Sequence, residues 1–246
     1  MKPNHSPYLV LALGGVGLLL QAWLLSTMDK KTGLLASGHP AATLLLLLTL
    51  LVLLLLLLTG KRLGKGNPRY DRLFPASQLG AIGSLAGAVG IFLDAVVTLM
   101  SGNGMLDSFT GLFGILAAIC LVMLSQYRLK GQRPSFLLRG VVCVYLLMRL
   151  VCRYRGWSAE PQMHLYTYPL LAQVFLTLAT FHRTCFDVGM GKRRQYVFFN
   201  LGAVFFCCLS IPGGGWLIYL TTGFWMFTEL CTLRPLRRRR PKPRED

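Results

Sequence analysis

Asp94, Arg139 and Arg149 are ionisable residues set inside long apolar stretches, where a membrane-crossing chain rarely keeps a charge. A charge taken out of water costs several kcal/mol unless it is paired, so intramembrane ionisable groups usually pair or line a wet cavity. With a helix rise of ~1.5 Å per residue, Asp94 lies ~27 Å beyond Ala76 and Arg149 ~20 Å beyond Phe136. Both positions fall in the outer half of outward-running segments. Asp94 and Arg149 are therefore expected to face one outer cavity and to pair. Arg139, Leu146, Arg149 and Arg153 share one sector of a helix, giving it a basic stripe turned inward.

Arg153, Tyr154, Arg155, Trp157, Glu160, His164, Tyr166 and Tyr168 follow in what reads as an outer loop. Guanidinium forks match carboxylate and phosphate geometry. The reading is an outward-facing site for an anionic solute or lipid headgroup, drawn from Asp94, Arg149, Arg153, Arg155, Trp157, His164 and Tyr168. The plainer account is that Trp and Tyr gather at membrane interfaces in any case, and that Arg155 with Glu160 forms an ordinary loop pair. Gln173 and Asn200 stand mid-span, each placed to hydrogen-bond a neighbouring helix. His182, Arg183, Asp187 and Glu229 read as ion pairs of the inner rim.

Catalytic constellations are missing from the sequence. There is no HExxH, no GxSxG, and no expectation of two intramembrane carboxylates at one depth, since Asp94 is outer and Glu229 inner. His5, His39, His164 and His182 are dispersed, and Gly60 to Gly66 lacks the GxxxxGK[ST] spacing of a phosphate loop. The 7 cysteines show no CxxC spacing and read as small buried hydrophobes. Neither a metal nor a cofactor is expected.

The elements that must position these residues follow from composition. Of 246 residues, 54% are hydrophobic and 14% charged, against about a quarter charged in a soluble domain. Collagen-like, disordered and disulfide-scaffold chains are excluded, and an all-α, polytopic membrane helix bundle is expected. A spanning helix needs about 20 apolar residues. Such stretches occur at 8–27, 41–59, 76–100, 106–126, 136–151 and 166–186. A last stretch, 196–233, is broken at Ser210, Pro212 and Gly213 to Gly215 into two short helices, 196–209 and 216–233. The second span is nearly pure leucine, and it is expected to be peripheral, with no polar atom to contribute below its ends.

Loop charge sets the expected orientation, because Lys and Arg accumulate on the cytoplasmic side. With both termini inside, the inner segments hold 20 of the 26 basic residues and the outer loops 4. The expected topology is about eight transmembrane helices, N-in and C-in, with residues 1–233 as one domain and 234–246 as a cytoplasmic polybasic tail lying on anionic lipid. The net charge of +17 is spread over the inner rim and is not gathered in a basic domain, so nucleic acid is not expected as a partner.

In the third span Ala76, Gly80, Gly83, Gly87, Gly90 and Asp94 are spaced 4, 3, 4, 3, 4 on one face. Such a seam lets backbones approach closely, turns Asp94 inward, and also allows a homo-oligomer. The function expected is that of a non-catalytic binding or accessory protein of the cell membrane, bacterial inner membrane in type, with an anion site facing outward. The alternatives are a small-solute transporter or channel-like protein using an Asp94/Arg149 gate, and a lipid- or isoprenoid-modifying enzyme.

Overall fold

Long apolar runs leave a backbone in lipid one local way to satisfy its polar groups, the α-helix. The computed structural model describes residues 6–27, 39–62, 70–101, 104–158 and 166–233. Among them the elements are α1 (Ser6–Ser26), α2 (Pro40–Arg62), α3 (Tyr70–Leu73), α4 (Gln78–Ser101), α5 (Met105–Lys130), α6 (Phe136–Ser158), α7 (Thr167–Val188), α8 (Arg193–Ser210) and α9 (Trp216–Cys231). The chain is all-helical in these residues. Five helices, α1, α2, α4, α5 and α8, are long and apolar enough to cross a membrane, which marks a membrane-embedded protein. Glu160, His164 and the polybasic tail lie outside the described residues.

Glycine ends several helices where the backbone turns left-handed. Gly131 (φ 65°) closes α5 with its N–H on the Tyr127 carbonyl, and Gly189 (φ 90°) closes α7 on those of Cys185 and Phe186. Between α8 and α9 a single 3-10 turn, Ile211–Gly213, leads into Gly214 (φ 95°) and Gly215 (φ 65°). The break therefore falls where Pro212 and its glycines place it.

Six helices, α4 to α9, close a ring in chain order, with α9 returning to pack on α4; α1 and α2 sit outside the ring against α8. We call the end at which α4, α6 and α8 begin the basic end, and the opposite one the far end. Held between α7, α9, α1 and α2, α8 is buried along most of its length. The leucines of α2, including Leu44, Leu46, Leu47, Leu50, Leu51 and Leu54, are exposed, so this helix is peripheral. It does contribute one polar group away from its ends: the Thr49 hydroxyl is buried, donates to the Leu45 carbonyl at 2.8 Å, and meets the hydroxyl of Tyr168.

Four seam glycines pack α4 within the same chain. Gly80 faces Arg128, Gly83 faces Thr228, Gly87 faces Trp225 and Gly90 faces Thr221. A Cβ at Gly83 or Gly90 would coincide with the threonine hydroxyl, which makes glycine the residue these crossings require. Ala76 precedes α4 and rests against Gly131, so the seam begins at Gly80. Two further boundaries differ from the sequence reading. Apolarity stops at Val151, yet α6 continues to Ser158, because Arg, Tyr and Trp sustain a helix as well as aliphatic residues do in the absence of proline. Arg153, Tyr154, Arg155 and Trp157 thus stand on the last turns of a helix, not in a loop. The short helix α3 lies between the second and third apolar stretches, where the sequence reading places no helix.

Candidate functional site

At the far end, the glycine seam carries Asp94 inward on α4 and the basic stripe carries Arg149 to it on α6. Arg149 donates from Nε to Asp94 Oδ2 at 2.7 Å and from Nη2 to Oδ1 at 2.9 Å, a bidentate fork. Tyr145, one turn before Arg149, donates its hydroxyl to Oδ2 at 3.1 Å. The guanidinium also lies 5.7 Å from the ring centre of Tyr219 on α9, whose hydroxyl accepts from Gln173 Nε2 on α7 at 3.3 Å. Four helices of the ring are tied at one level by this group. Both carboxylate oxygens of Asp94 are spent, and Arg149 is neutralised.

Arg153 stands a turn beyond Arg149. Its Nη2 is 3.7 Å from Asp94 Oδ1 while its side chain is 42% exposed, so it presents a tethered cation at the surface. Arg155 lines an open cleft of about 780 Å³ between the start of α5 and the end of α6, together with Met105, Leu106 and Phe109. Asp107 also borders this cleft, in the first turn of α5, where the helix N-terminus offsets its charge. The Trp157 ring stacks on Tyr166 at 5.0 Å. Tyr168 is not part of this group: it is half-buried and turned to Thr49 of α2. The structure thus brings Asp94, Arg149 and Arg153 together, sets Arg155 and Trp157 on the adjoining turns, and directs Tyr168 elsewhere. Tyr145 was passed over in the sequence, although its spacing of four from Arg149 put it on the same stripe.

A second ionic group, at the basic end, is the larger departure from the sequence reading. Arg128 of α5, Arg139 of α6, Arg183 and Asp187 of α7, and Glu229 of α9 are all buried. Arg139 Nε donates to Asp187 Oδ2 at 2.7 Å, and Arg133 donates to the Asp187 backbone carbonyl. Arg183 is shared: its Nη1 lies 3.6 Å from Asp187 Oδ1 and its Nε 3.4 Å from Glu229 Oε2. Arg128 Nε is 3.9 Å from Glu229 Oε1, while its terminal nitrogens donate to the Pro75 carbonyl at 3.1 Å and to Thr232 Oγ1 at 2.6 Å. Two carboxylates therefore do meet at one depth. Asp187 reads as a rim residue in the sequence, and Arg128 falls among the basic residues counted to the inner segments, because each sits at the end of its helix. Helix ends that are covered by another segment are not rims. Arg139 likewise belongs here, ten residues and ~15 Å from Arg149.

Val142, Leu146, Leu176 and Met226, all buried, lie along the ring helices between the two groups. The hydroxyls of Thr177, Thr180 and Thr222 donate to carbonyls of their own helices, to Gln173, Leu176 and Ile218. Asn200 was expected to reach a neighbouring helix, but it bonds Tyr196 of its own helix at 2.9 Å. Among the described residues, no three His, Cys, Asp or Glu side chains gather as metal ligands would.

Fold and site together define a class: an all-α, membrane-embedded ring of helices with an ionic group inside each end. Comparison with family models, with curated proteins and with solved structures gives no match to this chain.

Proposed function

We propose that this is an eight-span protein of the cell membrane, with the basic end and both termini cytoplasmic, that binds the anionic headgroup of an amphiphile at its outer face. The observation that carries this reading is the pair of cations near the end of α6, Arg153, tethered and half-exposed, and, two residues on, Arg155, which lines the largely apolar cleft. Apolar side chains beside the Arg155 guanidinium, with a second cation at Arg153 on the same helix end, suit a phosphate headgroup whose tail stays in the bilayer. Within this reading the Asp94–Arg149 pair is the post that fixes the end of α6. A gate needs a partner released at low cost, and both oxygens of Asp94 are taken by short hydrogen bonds. The protein acts by binding, without chemistry of its own.

The test is lipid retention on purified protein, measured by mass spectrometry after exchange into nanodiscs of mixed phosphatidylglycerol and phosphatidylcholine. Two basic residues near a membrane surface contribute about 1 kcal/mol each, so wild type should enrich the anionic lipid about tenfold or more over the double variant Arg153→Gln, Arg155→Gln. Equal retention of both lipids by wild type refutes the reading. A carboxyl-terminal reporter active only in the periplasm refutes the orientation.

A further inference from the structure

The ionic group at the basic end is unbalanced. Among the described side chains it sets three guanidinium groups, Arg128, Arg139 and Arg183, against two carboxylates, Asp187 and Glu229, with every one of the five at most 5% exposed. The two carboxylates are also held unequally. Asp187 is fixed by a 2.7 Å bond from Arg139. Glu229 is held only at 3.4 Å by Arg183 and at 3.9 Å by Arg128, well beyond the 2.7–2.9 Å usual for a charge-assisted bond. Arg128 Nε, which faces Glu229, has no hydrogen-bond partner, and neither have Arg183 Nη1 and Asp187 Oδ1, which stand 3.6 Å apart. Buried donors of this kind are normally satisfied, and each one left over calls for a reason.

We propose that Arg128 and Arg183 form a second anion site, for a phosphate group, in which Glu229 is the exchangeable counter-ion and the segment from Tyr70 to Phe74 is the cover. The cover lies directly on the guanidinium groups. The Phe74 ring centre is 3.4 Å from Arg183 Cζ and 5.3 Å from that of Arg128, and the Tyr70 hydroxyl is 3.5 Å from Arg183 Nη2. Its polar attachments are long, with the Tyr70 hydroxyl donating to the Gln132 carbonyl also at 3.5 Å. A tetrahedral oxyanion is the ligand class because its separate oxygens can accept from Arg128 Nε and from Arg183 Nη1, one donor on each guanidinium group. Such a group takes the donors left without a partner and supplies negative charge against the excess of guanidinium groups among the described side chains. Asp187, bonded to Arg139, stays in place as the permanent counter-ion. The site is at the opposite end of the ring from the headgroup cleft and stands independently of it.

The experiment uses the full chain in detergent, in the Arg153→Gln, Arg155→Gln background, so that the far-end cleft does not contribute. Inorganic phosphate is titrated calorimetrically, and nanodiscs containing phosphatidic acid are compared with phosphatidylcholine nanodiscs by lipid mass spectrometry. One phosphate group per chain is expected, from either source. Binding of inorganic phosphate identifies a free anion, and retention of phosphatidic acid alone identifies a lipid headgroup. Glu229→Gln removes the competing carboxylate and should tighten binding about tenfold, whereas Arg128→Gln should weaken it about tenfold, the ratio expected for one charge-assisted hydrogen bond. If either variant fails to fold, the titration of the background protein decides alone. Absence of binding from both sources overturns the proposal, as does a Glu229→Gln protein that folds and binds no more tightly.

Discussion

Replacing Asp94 by Asn tests whether the far-end pair holds the ring together. The substitution keeps the shape of the side chain and removes the charge. It leaves Arg149, whose side chain is 6% exposed, as a buried guanidinium with no full counter-charge, since Arg153 is itself a cation. Breaking a buried pair by removing one partner costs ~3–5 kcal/mol, a large share of the ~5–15 kcal/mol that holds a typical protein folded. Neutralising both partners, with Asp94→Asn and Arg149→Gln together, removes the stranded charge and should recover ~2 kcal/mol or more of that loss. Arg153→Gln, at a half-exposed position 3.7 Å from the carboxylate, should cost less than ~1 kcal/mol. Reversible unfolding in mixed micelles, followed through tryptophan emission, measures all four proteins. Trp225 is a suitable reporter because it is buried against Gly87. The reasoning fails if Asp94→Asn lies within ~1 kcal/mol of wild type, or if the double variant is as unstable as the sum of the two single ones.

Two further predictions concern glycine. Gly83→Val should destabilise by ~2 kcal/mol or more through its clash with Thr228, whereas Gly140→Ala, where an added Cβ meets open space, should be neutral or stabilising by ~0.5–1 kcal/mol; the same unfolding assay reads both. Gly214→Ala, at φ 95° in the turn before α9, should cost ~1–3 kcal/mol by backbone strain, with Gly15→Ala as the helical control that meets no neighbour.

Much of the fold was legible because lipid allows few solutions. Runs of about 20 apolar residues become helices, Pro212 and its glycines break the last of them, and the 4-3-4-3 spacing put Asp94 on the face that meets Arg149. Some boundaries were not legible where helical propensity outlasts apolarity. Val151 ends the oily run of α6, but Arg153, Tyr154 and Arg155 continue the helix at no penalty. The basic-end cluster was hidden for a different reason. Sequence order places Arg128 and Asp187 at helix ends, and only the chain segment folded back over them, with Phe74 on Arg183 and Tyr70 beside it, converts those ends into interior. That cover comes from more than fifty residues away for Arg128 and more than a hundred for Arg183 and Asp187, so no local spacing announces it.

The same cluster bears on orientation. Arg128 and Arg183 belong to the 20 basic residues assigned to inner segments; set aside as interior, they leave 18 against the 4 of the outer loops, and the bias stands. The rule that Lys and Arg stay in the cytoplasm acts on loops while helices are being inserted, before the ring has closed. An arginine that is later buried has already made its contribution to topology. One residue can thus serve twice, first as a charge that opposes translocation and afterwards as a guanidinium that ties helices together. For Arg128 the second role follows from the first. Under the proposed orientation, a helix end kept at the cytoplasmic surface is a place over which another segment of the chain can fold, and the Gly80 backbone leaves the room for the Arg128 stem.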